Sequence, residues 1–211
     1  MSDSGETPLG VVLAGGKSSR MGRDKARLTF FGQPLLCRAV EVLAQVTGEV
    51  LVSGRDPAPF GLKAPWLPDD PPELGPAGGV LTVLDAVRRS CLVVSCDLPF
   101  LDASILSRLV AAWRRRPAGA VMTTFRMVET GFMEPLVAVY DPPGIGLLRR
   151  NLAMGQRRLS VVFPENLRWH VDYSKKDRTV ARAFFNVNSQ PDLILARGME
   201  EPIDRRRRET S

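Results

Sequence analysis

Two adjacent glycines, Gly15 and Gly16, end the apolar run Leu9–Ala14, and Lys17, Arg20, Arg23, Lys25 and Arg27 follow with Asp24 as the acid among them. Glycine adds no side chain, so the backbone N–H groups of Ala14–Gly16 can approach a phosphate closely. The cations beside them can neutralise its oxygens, Lys25 as a point charge and Arg20 as a bidentate fork. Asp97 closes a second apolar run, CLVVSC, just before Pro99. A carboxylate there suits a hard cation such as magnesium, which takes few protein carboxylates and keeps water and phosphate oxygens for its other positions; the alternative is a cap or turn aspartate. Asn186 and Asn188 stand two apart in FNVNSQPD and can offer paired amide hydrogen bonds from one face of a strand. The alternative there is a turn leading into a helix capped by Ser189.

The elements that must carry these groups alternate along the chain. LGVVLA reads as a buried strand, and Pro34 suits the first turn of a helix through Leu43 whose apolar face is Leu36, Ala39, Val40 and Leu43. EVLVSG is a second short strand ending at Ser53-Gly54-Arg55. From Asp56 to Gly79 the density of proline and glycine excludes regular helix and central strand. We expect an ordered, ligand-facing loop with a brief strand within Leu62–Leu67, followed by a helix over Val80–Val87. CLVVSCDLP is the next strand, and Asp102 caps a helix through Trp113 with Ile105, Leu106, Leu109 and Val110 on its buried stripe. Ala120–Phe125 and Pro135–Tyr140 read as strands, Gly144–Met154 as a helix, Arg168–Asp172 as a strand, and Phe184–Asn188 as a last strand before a helix from about Gln190. This alternation predicts an α/β fold, a three-layer, doubly wound, mostly parallel Rossmann-like sheet. In such sheets ligands bind at the carboxyl ends of the strands, which puts Gly15-Gly16, Ser53 and Asp97 along one edge.

The charge pattern narrows the ligand. The net charge of +6 is not in the tail, where Glu200, Glu201, Asp204 and Glu209 offset Arg205–Arg208. The excess sits in residues 16–27 and in the cluster Arg149, Arg150, Arg157 and Arg158. Two basic clusters without an interleaved aromatic stripe favour small phosphorylated ligands over nucleic acid. No apolar run is long enough to span a bilayer and the polar N-terminus is no signal peptide, so a cytoplasmic protein without membrane attachment is expected. Cys37, Cys91 and Cys96 lack CxxC spacing and are expected reduced, Cys91 and Cys96 in the core. His170 stands alone and is assigned a structural role, as are Trp66, Trp113 and Trp169. One domain over residues 1–199 with a charged tail over 200–211 is the simplest organisation.

Two common phosphate loops are absent. GxGxxG fails because the glycines are adjacent and residue 18 is serine; GxxxxGK[ST] fails because its first glycine would fall on Val11. LAGGKSSRMGRDKA instead resembles the LAGGxSxRMGxDK signature of sugar-nucleotide-type nucleotidyltransferases, and most closely that of the molybdenum cofactor guanylyltransferases. The resemblance continues in order through PDDPPELGPAGG, CDLPF, GQRRLSVVF and FNVNSQPDL and so covers nearly the whole chain. It implies transfer of GMP from MgGTP to molybdopterin with release of pyrophosphate. It further implies Lys25, Arg20 and Asp97 as catalytic groups, Asp97 also as the magnesium ligand. The nucleotide would be bound by Leu13, Ala14, Gly15, Gly16, Lys25, Ser53, Asp69 and Asp97, with Ser53 where the family often has asparagine and Asp70 as the rival of Asp69. Arg157, Arg158, Asn186 and Asn188 would hold the molybdopterin, although exposed arginines such as the first two are often only solvated. Molybdoenzymes or their chaperones are implied as downstream partners. The alternatives are a cytidylyl- or sugar-1-phosphate nucleotidyltransferase, and a non-catalytic nucleotide-binding partner of molybdoenzymes.

Overall fold

The structure, a computed structural model, describes residues 6–15, 25–69 and 74–199. Gly16, Arg20, Asp70 and the tail from residue 200 therefore lie outside the described residues. The strands are β1 (Leu9–Leu13), β2 (Thr29–Phe30), β3 (Gln33–Pro34), β4 (Val50–Ser53), β5 (Trp66–Leu67), β6 (Cys91–Ser95), β7 (Met122–Met127), β8 (Met133–Tyr140) and β9 (Arg168–Tyr173). The helices are α1 (Leu35–Thr47), α2 (Gly75–Val87), α3 (Ala103–Arg114), α4 (Ile145–Ala153), α5 (Leu159–Val162), α6 (Arg178–Ala183) and α7 (Gln190–Gly198). Among the described residues no helix is long and apolar enough to cross a membrane.

The main sheet runs β5-β4-β1-β6-β8-β7-β9. β1 pairs in parallel with β4 and β6, and β4 with β5, while β8 runs antiparallel to both its neighbours. The expected mostly parallel, doubly wound sheet is present, with β8 reversed inside it. Val11 of β1 packs with Leu51, Val80, Leu84, Val93 and Leu148 on one face, and Val12 packs with Leu36, Leu43, Val94, Ile105 and Leu109 on the other. Alternate residues of one strand thus enter two cores, which is why LGVVL is apolar without interruption. Helices α1, α3 and α6 cover one face, α2, α4 and α5 the other. The chain leaves β1 toward β4 through α1 and returns past β1 to β6 through α2, on the opposite face. That reversal opens a crevice between the carboxyl ends of β1 and β6.

A smaller apolar cluster joins the β2–β3 hairpin to the C-terminal segment: Leu28, Phe30, Leu35, Phe100, Val187, Leu193 and Ala196. It explains one correction to the sequence reading. Phe184–Asn188 is no strand; Phe184 ends α6 and residues 185–188 run as a loop into α7, whose cap is Ser189, with its hydroxyl accepting from Asp192 N–H. Val187 is fully buried by the hairpin and α7 rather than by a sheet neighbour, and Asn186 and Asn188 do not share a strand face. A second correction concerns α2, which begins at Gly75 and not Val80, so the GPAGG run lies inside the helix. Its glycines are needed for close packing: a Cβ on Gly78 would lie 2.5 Å from Leu74 Cβ, and one on Gly79 would lie 3.1 Å from Leu13. Asp102 caps α3 as expected, accepting from Ile105 N–H at 3.0 Å. The three cysteines are buried free thiols, Trp113 is buried, and Trp66 and Trp169 are partly exposed. His170 lies on β9, its imidazole held below the ordinary range chiefly by burial.

Candidate active site

The crevice is a cavity of about 210 Å³ at the carboxyl edge of the sheet, lined chiefly by residues at or just beyond strand ends and at the start of α2, with Leu136 from within β8. Leu13, Ala14 and Gly15 come from the end of β1, Ser95, Cys96 and Asp97 from the end of β6, and Gly75, Pro76 and Gly79 from the start of α2. Lys25 opens the short 3₁₀ turn that leads to β2. The N-terminus of α2 adds a partial positive charge and unpaired N–H groups to this space, both favourable to an anion.

Backbone packing brings the β1, β4 and β5 ends into one unit. Ser53 is paired in register with Leu67 of β5, which delivers Asp69 beside it, and the Ser53 hydroxyl donates to Asp69 Oδ1 at 3.1 Å. A Cβ on Gly15 would lie 1.9 Å from Asp69 Oδ2. Gly54, with φ of 84°, would meet Gly15 Cα at 2.4 Å if it carried one. The close approach and the positive φ both require glycine. Burial holds the Asp69 carboxyl above the usual carboxylate range, against the lowering effect of Ser53. Arg55, the next charged residue on this edge, lines the cavity and donates from Nε to the Ala14 carbonyl at 3.2 Å. Sequence reasoning named Ser53 as a nucleotide contact but gave Arg55 no role beyond the end of its strand; the usable signal was a cation just after a strand on the ligand edge.

Asp97 is buried. Its Oδ1 accepts from the Ser95 hydroxyl at 2.6 Å, and its Oδ2 lies 3.8 Å from Lys25 Nζ. The Asp97 carbonyl accepts from Val187 N–H at 2.9 Å, which docks the 185–188 loop against the end of β6. Asn188 then reaches Lys25, whose Nζ donates to its Oδ1 at 2.6 Å. The Asn188 N–H is held by Asp192 Oδ2 at 2.9 Å. Asn186 keeps a buried Oδ1 without a hydrogen-bond partner among the described residues, an acceptor whose desolvation is unrepaid until a donor meets it. Cys96 is a wall residue; burial pushes its thiol up to about 12, so it is not a nucleophile. Arg157 and Arg158 are exposed in the α4–α5 connection and do not line the cavity.

Among the described residues no group of three or more His, Cys, Asp or Glu side chains could cage a metal. The donor set fits magnesium nonetheless, because that ion uses one or two carboxylates and completes its shell with substrate phosphates and water. Asp97 aims one carboxylate oxygen into the cavity beside a lysine, and a triphosphate drawn to Lys25 would meet both.

A family model described as a MobA-like NTP transferase domain matches residues 10–167. The probable molybdenum cofactor guanylyltransferase of Chloroflexus aggregans is 36% identical over 196 residues, covering 88% of this chain and 91% of that protein. The one of Pelotomaculum thermopropionicum is 33% identical over 205 residues, 91% of this chain and 93% of that protein. Among solved structures, molybdopterin-guanine dinucleotide biosynthesis protein A of Archaeoglobus fulgidus superposes with a TM-score of 0.70 at 25% identity, covering 89% of this chain and 96% of that one. The 2-C-methyl-D-erythritol 4-phosphate cytidylyltransferase of Thermus thermophilus, with a TM-score of 0.61 and 17% identity over 92% of this chain and 98% of that one, shares the fold.

Proposed function

The chain belongs to the MobA-like NTP transferase family, a family of nucleotidyltransferases, and from that premise we propose that it transfers GMP from GTP to molybdopterin with release of pyrophosphate. The observation that carries this reading is Lys25, which lies against Asp97 on the nucleotide side and against Asn188 of the acceptor motif on the other. Two ligands meeting at Lys25 would be in position for a direct transfer.

The terminal phosphate oxygen of the acceptor attacks the α-phosphorus in line. A new P–O bond forms, the bond from the α-phosphorus to the bridging oxygen breaks, and pyrophosphate departs with that electron pair. No covalent enzyme intermediate is needed, so the protein's work is positioning and charge stabilisation. Backbone N–H groups of Ala14–Gly16 cradle the phosphates. Lys25 and Arg20 neutralise charge growing on the leaving group. Asp97 would hold the magnesium ion, whose contribution there is to offset the charge of the triphosphate oxygens. Asp69, which lines the cavity, accepts donors of the nucleoside, and the buried Ser53 beneath it orients its carboxylate. The orphan Oδ1 of Asn186 accepts an N–H of the pterin, while Arg157 and Arg158, outside this cavity, could meet the acceptor's phosphate only before it reaches Lys25.

Purified protein with magnesium, molybdopterin and GTP is expected to release pyrophosphate and form the dinucleotide, with CTP at least tenfold poorer. Consumption of CTP or a sugar phosphate with GTP untouched would overturn the assignment.

A further inference from the structure

Ala14, the last residue before the glycine pair, has both of its backbone polar groups taken by the exit of β4. Its N–H donates to the Ser53 carbonyl at 2.9 Å, and its carbonyl accepts from Arg55 Nε at 3.2 Å. The exit is itself fixed, since Gly54 N–H donates to the Leu67 carbonyl at 2.8 Å and Gly54 packs at φ of 84° against Gly15. Arg55 thus leaves an anchored backbone and turns back over the end of β1. Its side chain is half-buried, with the guanidinium 5.9 Å from the centroid of Phe60. Arg55 and Gly15 both line the nucleotide cavity.

The Ala14–Gly15 peptide decides the polarity of this stretch of the cavity wall. A trans peptide points its C=O and its N–H in opposite directions, so the plane can offer a ligand the Ala14 carbonyl or the Gly15 N–H, but not both. Toward a phosphate the two have opposite sign: the N–H attracts it and the carbonyl oxygen repels it. Glycine's permissive backbone lets such a plane turn over at little cost. The Ala14 N–H is already committed to Ser53, so the phosphate cradle begins at Gly15. Its first donor is therefore the one most exposed to inversion, and a hydrogen bond from a charged guanidinium to the Ala14 carbonyl is a strong restraint against it.

From these contacts we infer that Arg55 is a positioning residue for nucleotidyl transfer: by holding the Ala14 carbonyl through Nε, it keeps the Gly15 N–H turned toward the phosphates of the bound nucleotide. The inference rests on the reading of this cavity as the nucleotide site, and it asks nothing of the arginine's outer nitrogens.

The test is calorimetric titration of the full chain with a non-hydrolysable GTP analogue and magnesium, in the wild type and three variants. Arg55→Gln carries its amide nitrogen as many bonds from Cβ as arginine carries Nε, so it keeps the donor and drops the charge. Arg55→Lys keeps the charge and places its nitrogen one bond further out. Arg55→Met keeps the reach with neither. Glutamine is expected to stay within about threefold of the wild-type affinity, while lysine and methionine weaken it about tenfold or more, the scale of one hydrogen bond from a charged donor. This order should hold whatever the order of the melting temperatures, which a merely structural arginine would set. Lysine binding well while glutamine fails would make Arg55 a plain cation and overturn the inference. So would a glutamine variant as weak as methionine, or a methionine variant as tight as the wild type. Should methionine fail to fold, the comparison of glutamine with lysine still decides. A wild type that binds no analogue overturns the nucleotide reading itself, which separates that failure from one confined to Arg55.

Discussion

Lys25 and Asn188 are joined by a 2.6 Å hydrogen bond across 163 positions of sequence. The bond ties the glycine-rich opening of the chain to its last loop, and it makes the orientation of the principal cation dependent on the acceptor motif. Asn188→Ala should therefore slow transfer while leaving much of the GTP affinity intact. We expect a loss of about 10- to 100-fold in kcat, roughly 1.4–2.7 kcal/mol, against Lys25→Met, where both kcat and GTP binding collapse. Steady-state kinetics beside a GTP titration checks this; equal effects of Asn188→Ala on binding and on rate would sink the idea.

Asp97→Asn keeps an oxygen for the Ser95 hydroxyl and removes the charge. The fold should persist, with transfer falling about 10³-fold, the scale expected when a principal electrostatic group is lost. A magnesium titration of the residual activity is the measurement, and a variant saturating at the wild-type magnesium concentration would argue against Asp97 as the ligand.

The Gly15–Gly54–Asp69 contact makes a stability prediction. Gly54→Ala places a methyl 2.4 Å from backbone and imposes a positive φ on alanine, whereas Gly15→Ala meets the movable carboxylate of Asp69. Gly54→Ala should cost more, about 3 kcal/mol against 1–2 for Gly15→Ala, read from urea unfolding. The order of the two is the critical outcome.

The pH dependence follows from Asp69, whose carboxyl burial raises and Ser53 lowers. A carboxyl with a raised folded pKa penalises folding when ionised, so this penalty is present at neutral pH and is relieved as pH falls through the folded value. Nucleotide binding that needs the carboxylate has the opposite sign and is lost over that same interval. The acid limb of GTP affinity should lie above the usual carboxylate range and move further up in Ser53→Ala. A limb that stays in place in the variant would remove Asp69 from the nucleotide site.

At the opposite edge of the sheet, buried Asp141 accepts from the Ser90 hydroxyl at 2.6 Å and Trp113 Nε1 at 3.0 Å, with Arg116 Nε 3.0 Å from its other oxygen. Asp141→Ala strands these donors and should cost about 3 kcal/mol, a fall of roughly 6–12 °C in Tm for a chain of this size. Activity per folded molecule should be unchanged.

The parts of the site that sit at strand ends were legible in the sequence. Ala14-Gly15, Ser53 and Asp97 each follow an uninterrupted apolar run, and the rule that ligands gather at carboxyl ends brings them together. Caps announced themselves too, at Asp102 and Ser189. What escaped depends on partners distant in sequence. The alternation in Phe184–Asn188 imitates a strand, but Val187 is buried by the hairpin and α7. GPAGG resembles a loop, yet Gly78 packs within a Cβ's reach of Leu74 and Gly79 lies tightly against Leu13, and that tertiary demand overrides their poor helix propensity. The reversal of β8 has no local signal at all.

The place of β1 in the sheet also bears on how the protein is made. Among the described strands β1 is an interior one whose two neighbours are both encoded after it, ending at Ser53 and Ser95. At ordinary translation speeds LGVVL waits about 2–8 seconds for β4 and about twice that for β6. Through that interval an apolar segment with both edges unpaired is open to other nascent chains, so soluble yield should depend on chaperone capacity more than the finished protein's stability suggests.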